Sequence, residues 1–340
     1  MYVTGGAGGD LGGPFGGGFS DTYLRKYDAS GNVVWTKQQG ANFEEHSEAV
    51  SADGLGNVYI AGTIEGHQAF VTRYDSSGVR YWTNEPKNLS GLFDGEARGV
   101  SSDGLGNVYV AGFNFGMYAT PSLGGEDLFL TKFDQAGTEI WKRQYGTSTR
   151  DLAHGVFADS LGSVYVVGQS LGTMGGSGNA GSFDAVVSKF GSSGNLIWTR
   201  QFGSSARDSA TAVIGDGMGN IYVAGTGRSI LGGAQFGGTD IFLLKLDSAG
   251  NVIWSQTFGS SGTDLSSALA IDAAGAIYVV GDTTGNIVGT NAGGRDALIV
   301  KFAEVPEPAT YFSLISVVAF MLARRSRRES ARTRGRRHRD

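Results

Sequence analysis

Two short phrases recur five times along this chain, always in the same order, and that repetition constrains the fold more than any single residue does. Trp35, Trp82, Trp141, Trp198 and Trp254 are spaced 47, 59, 57 and 56 residues apart. Each closes one phrase: "YDASGNVVW", "YDSSGVRYW", "FDQAGTEIW", "FGSSGNLIW", "LDSAGNVIW". Between them runs a second phrase: "DGLGNVYIAG", "DGLGNVYVAG", "DSLGSVYVVG", "DGMGNIYVAG", "DAAGAIYVVG". A partial sixth copy, "MYVTG", opens the chain. A period of this length marks units that must stack on their neighbours to bury a core.

Each unit reads as four short strands. In the unit around residue 230, a small-residue strand "SATAVIG" (209–215) leads through a turn at Asp216–Asn220 into "IYVAG". A glycine-rich loop follows, then "DIFLLKL" (240–246), the turn "DSAGN", and "VIWSQTF" (252–258). The turns have a mechanism: Asp accepts backbone N–H groups and Gly supplies positive φ. Apolar alternation between such turns fits half-buried antiparallel strands. Glycine at 57 of 340 residues, with aromatics at 11%, suits short strands and many tight turns. No body segment holds a helical period long enough for an α-solenoid. The expectation is an all-β propeller of about six four-stranded blades over residues 1–303, with the first and last blades incomplete. Blade one lacks an inner strand and blade six, ending in "DALIVKF" (296–302), lacks its tryptophan strand. Both would lie upstream of Met1 if the ring closes with strands from both ends, so the natural chain is expected to begin earlier.

The unit resembles the SBBP β-propeller repeat and, more distantly, the NHL repeat, whose "D-x-x-G-N-h-Y-V" core it shares. That resemblance implies that the small-residue strand is innermost and the tryptophan strand outermost. Unit two departs from the pattern, with Gln68 where the others have Asp21, Asp127, Asp184, Asp240 and Asp296.

The net charge of −5 hides a split: nine Arg against Glu329 and Asp340 make residues 324–340 +7, leaving −12 on 1–323. An acidic body argues against nucleic-acid binding. Before the basic tail, Ala309–Ala323 is fifteen residues without a charge. As a helix it would span roughly 22 Å, with flanking arginines able to extend its reach across a membrane. Positive residues stay cytoplasmic, which would place the body outside. Val305, Pro306, Glu307 and Pro308, the apolar stretch, and Arg324 and Arg325 resemble a PEP-CTERM sorting signal. Residues 304–328 then form the signal, with a membrane helix over 309–323, and 329–340 an Arg-rich disordered tail. The resemblance implies recognition by an exosortase of a Gram-negative bacterium that makes exopolysaccharide, removal of the helix and tail, and release or attachment of the propeller at the cell surface. It also implies an N-terminal secretion signal, expected upstream of Met1.

No chemical motif stands out. Cysteine is absent, and the histidines (His46, His67, His154, His338) lack metal-ligand spacing. His46 and His154 fall near the starts of inner strands, as surface or channel-lining groups. The five tryptophans, fixed within one strand, read as inter-blade packing rather than sugar-stacking platforms. Two acid series share the face with the long loops: Asp21, Asp127, Asp184, Asp240 and Asp296, and Glu45, Asp151, Asp208 and Asp264. Oxygen ligands of this kind suit calcium, with Asp151, Asp208 and Asp264 as candidates. Their recurrence in successive blades favours a structural role instead, each Asp bonding its own loop or a neighbouring Arg. No other cofactor and no catalytic residue is indicated. The expectation is a non-enzymatic exported scaffold or binding module, with exosortase, polysaccharide or other envelope components, and the membrane before processing as partners. The alternative is a secreted polysaccharide hydrolase or lyase using loop-face carboxylates, for which a blade-specific acid such as Glu126 near a Tyr or His would be the mark.

Overall fold

A computed structural model describes residues 1–302 except 14, 41–42, 65–67, 86–94, 120–121, 176–177 and 288, together with the backbone of 318–322. It is a six-bladed β-propeller. Blade one is a three-stranded sheet of β1 (Tyr2–Ala7), β2 (Asp21–Tyr27) and β3 (Val33–Gln39). The next four blades each have four strands in chain order. They are β4–β7 (Glu45–Ala52, Asn57–Ile64, Gln68–Asp75, Arg80–Asn84) and β8–β11 (Gly95–Ser102, Val108–Asn114, Asp127–Phe133, Glu139–Tyr145). There follow β12–β15 (Asp151–Ala158, Ser163–Ser170, Asp184–Gly191, Leu196–Phe202) and β16–β19 (Ser209–Gly215, Ile221–Gly227, Asp240–Leu246, Val252–Phe258). Blade six is β20 (Asp264–Ile271), β21 (Ile277–Thr283), β22 (Asp296–Phe302) and β23 (Val318–Leu322). All pairings between these strands are antiparallel, and the only helix among the described residues is the 3₁₀ turn Ile230–Gly232.

The last strand corrects an expectation. Residues 318–322 of the stretch expected as a helix over 309–323 form β23, with Lys301 opposite Val318 and Ala297 opposite Leu322. Blade six is therefore filled from the C-terminal side. The physical reason is that β22 otherwise presents a row of unpaired backbone groups, and an apolar segment can satisfy them. No helix among the described residues is long and apolar enough to cross a membrane. The motif residues Val305, Pro306, Glu307, Pro308, Arg324 and Arg325, and the tail 329–340, lie outside the described residues.

The turns behave as their composition predicts. In "DASGN", Asp28 Oδ1 accepts the Ser30 and Asn32 amides at 2.9 and 2.8 Å. Gly31 takes φ 82°, which an L side chain would resist. These hydrogen bonds, led by that of the Asn32 side chain, hold the exposed Asp28 carboxyl below its ordinary range.

The core lies between blades rather than in a central plug. Tyr109, Ala111, Leu128 and Leu130 of blade three meet Ala153, Val164, Val166 and Phe190 of blade four, all buried. The tryptophans fasten the outer edge of this stack. The indole N–H groups of Trp35, Trp82, Trp141 and Trp198 donate to Ser76, Gln135, Ser192 and Ser248 carbonyls in the next blade's turn, at 3.0–3.2 Å. Each tryptophan, Trp254 included, also tilts against a tyrosine of its own blade at 5.9–6.1 Å. The hydrogen bond and ring pair contribute about 1 kcal/mol each.

Candidate functional site

Two structural series repeat around the molecule, and they differ in what they leave free. The first is the acid series of the loop face. Asp184 Oδ2 accepts the Ala180 amide at 2.9 Å and the Gln201 side chain at 3.1 Å. Asp127 does the same with Leu123 and Gln144, and Asp21 with Gly16 and Gln38. Asp240 holds Phe236 and Asp296 holds Ala292. Their other oxygens press on glycines: a Cβ at Gly40, Gly146, Gly203 or Gly259 would overlap Asp21, Asp127, Asp184 or Asp240.

The three calcium candidates close loops as well. Asp151 Oδ2 accepts the Thr147 amide and hydroxyl at 2.5 and 2.9 Å, and its Oδ1 accepts the Ser170 hydroxyl. Asp208 takes the Ser204 amide and hydroxyl at 2.6 and 2.8 Å and the Arg228 amide at 2.8 Å. Asp264 takes the Ser260 amide at 2.6 Å and its hydroxyl at 3.0 Å. Their backbone amides also reach the preceding blade, at the carbonyls of Glu126, Phe183 and Thr239 (2.6–2.8 Å). Burial pushes the Asp151 and Asp208 carboxyls up, which is the direction a general acid needs. Both residues are fully buried in loop-closing hydrogen bonds, however, and neither lines the channel cavity. Glu126, also buried, is spent on Arg150 at 2.6 Å. Among the described residues no three His, Asp or Glu side chains are grouped to hold a metal ion.

The second series lines the channel. Every inner strand from blade two to blade six carries a β-bulge at the same place: between Ser47 and Ala49, Ala97 and Gly99, Ala153 and Gly155, Ala210 and Ala212, and Ser266 and Ala268. A bulge sets one extra residue outside the ladder and re-aims its side chain. The extra residues are Glu48, Arg98, His154, Thr211 and Ser267, and all of them line one cavity of about 640 Å³. Gln169, Arg207, Ser209, Thr226, Thr239 and Ser266 complete much of its wall.

The glycine ending each "Y-[VI]-[AV]-G" phrase explains the bulge. Gly62, Gly112, Gly168, Gly225 and Gly281 sit opposite the first residue of the bulge in the neighbouring strand. A Cβ at Gly168 would overlap the Leu152 carbonyl, and the same clash with the inner strand recurs at the other four. Only glycine lets the bulged backbone come so close.

The channel's charges are unevenly spread. Arg98 donates through Nε and Nη2 to Glu96 at 2.9 and 2.6 Å. Arg207 has no carboxylate partner among the described residues. It donates to Gln169 Oε1 at 3.2 Å and lies over the Phe183 ring at 5.0 Å. Gln169 is fully buried, and its Nε2 has no hydrogen-bond partner. His154 is half-buried in the wall. Loss of hydration, then the Arg98 and Arg207 charges, push it down to about 4 from 6.5, so it is neutral at pH 7. Of the other described histidine, His46, Nε2 lies 2.8 Å from Glu44 and Nδ1 3.3 Å from Ser20, outside the cavity lining.

His154 was thus readable as channel-lining from its place in an inner strand. Glu48, Arg98, Thr211 and Ser267 were not singled out. The available signal was an offset: each lies three residues after Glu45, Gly95, Asp208 or Asp264, as His154 does after Asp151.

No family model matches the chain. Regulatory protein FlaEY of Caulobacter vibrioides is 27% identical over 177 residues, which is 47% of this chain and 18% of that protein's length. Among solved structures, a luciferin-regenerating enzyme aligns over 83% of this chain and 88% of its own at 11% identity and TM-score 0.45. A D477G ACO/RPE65 chimera aligns over 94% and 77% at 13% identity and TM-score 0.48.

Proposed function

We propose that this propeller is an exported, non-enzymatic binding module or scaffold, processed by an exosortase and held at the cell surface or in an exopolysaccharide matrix. One observation carries the binding part: the inner strands bring five different side chains to one open channel, while the repeated acids are committed to loop closure. Function on a rigid repetitive scaffold concentrates where the repeats differ. The polysaccharide-hydrolase alternative needs accessible paired carboxylates, whereas the loop-face acids are buried in backbone hydrogen bonds.

The location part is supported by residues 305–325 alone: Val305-Pro306-Glu307-Pro308, an uncharged stretch, and Arg324-Arg325. Removing the chain after Pro308 would take away β23 and leave β22 as an edge strand. Processing and the packing of blade six are therefore coupled in this reading.

The test is to express the gene in a bacterium that carries an exosortase and in its exosortase-deleted derivative. Cell fractions are probed with an antibody to the propeller, and the C-terminus is read by mass spectrometry. Surface protein lacking the residues beyond Pro308, dependent on the exosortase, is the expected result. An intact C-terminus on protein retained inside both strains would overturn the location part.

A further inference from the structure

The channel contains a donor surplus that the loop face does not. Arg150 and Arg207 occupy the same position, each one residue ahead of a loop-closing Asp. Arg150 is neutralised by Glu126 at 2.6 Å, but the residue standing in that place for Arg207 is Phe183, which offers a ring and no charge. The Arg207 guanidinium is therefore left with one uncompensated charge at the cavity wall. Beside it, the amide Nε2 of Gln169 is buried with nothing to donate to, a costly arrangement unless a ligand supplies an acceptor. Gln169 cannot be turned round, because its Oε1 is the acceptor for Arg207 Nε.

We propose that the channel binds one sugar acid, its carboxylate held by Arg207 and Gln169 and its hydroxyls by the serine and threonine side chains of blades five and six. This deepens the binding-module reading and rests on it. The carboxylate matches the planar, forked donor set of a guanidinium. With Arg98 already paired to Glu96, Arg207 is the lining cation left to take a carboxylate. Glu48, exposed and on the inner strand of blade two, opposes a more highly charged anion such as phosphate. Ser209, Thr211, Thr226, Thr239, Ser266 and Ser267 give the cavity a hydroxyl-rich wall suited to a polyol rather than an apolar acid.

The charged groups around His154 are Arg98 and Glu96 of β8, Glu48 of β4 and Arg207 ahead of β16. A bound carboxylate offsets the Arg98 and Arg207 charges that, after lost hydration, hold the imidazole neutral, so His154 protonates more readily when the acid is bound. Binding therefore weakens as pH rises above about 4.

The experiment is titration calorimetry on the full chain with glucuronate, glucose, acetate and inorganic phosphate, in two buffers of different ionisation enthalpy. The expected result is saturable glucuronate binding with proton uptake, and at least 10-fold weaker binding of the other three. Arg207→Gln weakens glucuronate binding at least 10-fold, Arg150→Gln less than 2-fold, and His154→Gln abolishes the proton uptake. A circular-dichroism melt of each variant separates lost binding from lost folding. An oligosaccharide ending in glucuronate, run alongside, distinguishes a polysaccharide end from a free acid as the source.

No glucuronate binding at 10 mM, equal binding of glucose, or binding indifferent to Arg207→Gln would each overturn this proposal. A neutral glycan captured on an array and unaffected by Arg207→Gln would overturn it too, yet leave the binding-module reading standing.

Discussion

The loop face and the channel wall are each built once per blade, from segments that adjoin in the chain, yet evolution of the repeat has treated them differently. On the loop face nearly the same side chain recurs: Asp151, Asp208 and Asp264 each hold the amide and hydroxyl of the residue four before them. Three residues further on, at the bulge, the side chains are Glu48, Arg98, His154, Thr211 and Ser267, no two alike. A hydrogen bond that closes a loop is needed wherever that loop exists, so its residue repeats. A position outside the ladder has no register partner in the neighbouring strand and is free to vary. The bulge itself repeats although its residue does not, because it is enforced from the neighbouring strand by glycine.

The strongest way to break this contrast is to destroy the bulge. Gly168→Ala sets a Cβ against the Leu152 carbonyl, and neither strand can move without disturbing the blade behind it. A loss of about 3 kcal/mol or more is expected in urea unfolding, from forced overpacking against backbone. Gly9→Ala, where a Cβ meets nothing within 4 Å, is the control and should be close to neutral.

Next in size is the exchange of roles between the two series. Asp208→Ala strands the Ser204 and Arg228 amides, and a cost of about 2–3 kcal/mol follows from losing hydrogen bonds to a buried carboxylate. Thr211→Ala, at the bulge of the same strand, removes hydroxyl bonds to Ser266 and Ala224 and should cost under about 1 kcal/mol. Similar losses at the two positions, measured in the same urea titrations, would dissolve the distinction between closure and lining.

A third contrast is the sign of the pH dependence. His154 is pushed down to about 4, so folding favours its neutral form; that contribution is complete above pH 6.5 and is lost as pH falls towards 4. Asp151 and Asp208 are pushed up, so they act in reverse: their contribution is complete below their ordinary range near 3.8 and is lost as pH rises above it. Subtracting the stability–pH curve of His154→Gln from that of the parent isolates the histidine. The difference should shift by on the order of 2 kcal/mol between pH 7 and pH 4. A flat difference curve would mean that channel water hydrates the imidazole freely.

Much of the fold was legible because propeller blades repeat their turns as well as their strands. The phrase "DSAGN" names a turn by mechanism, and "SATAVIG", "DIFLLKL" and "VIWSQTF" coincide with β16, β18 and β19. The bulges were not legible, since alternation along one strand carries no information about register in its partner. Their trace was present in the neighbouring strand, as the glycine closing "IYVAG", where it looks like part of a generic strand ending. The stretch 309–323 shows the limit from another side. An uncharged apolar run fits a buried strand as well as a helix, and what places 318–322 in β23 is the open edge of β22, a fact about tertiary structure. The acids were readable as a class, but their partners were not: the structure shows the Thr147, Ser204 and Ser260 amides donating to Asp151, Asp208 and Asp264.

The smallest expected effect is the sharpest test of what the bulge series is for. Glu48 is exposed, lines the channel at the bulge of β4, and makes no hydrogen bond or ion pair with any described residue. Glu48→Gln preserves its shape and removes only its charge. Stability should change by less than about 0.5 kcal/mol, as at surface positions without a packing, capping or charge partner. Because Glu48 adds negative potential to a channel that holds Arg98, Arg207 and His154, its removal should also make His154 slightly harder to protonate. The His154 resonances, followed by NMR across pH, would then shift their midpoint downwards by a few tenths of a unit. A stability loss above 1 kcal/mol would instead show that bulge residues brace the ring, and the wall would then share the structural role of the loop face.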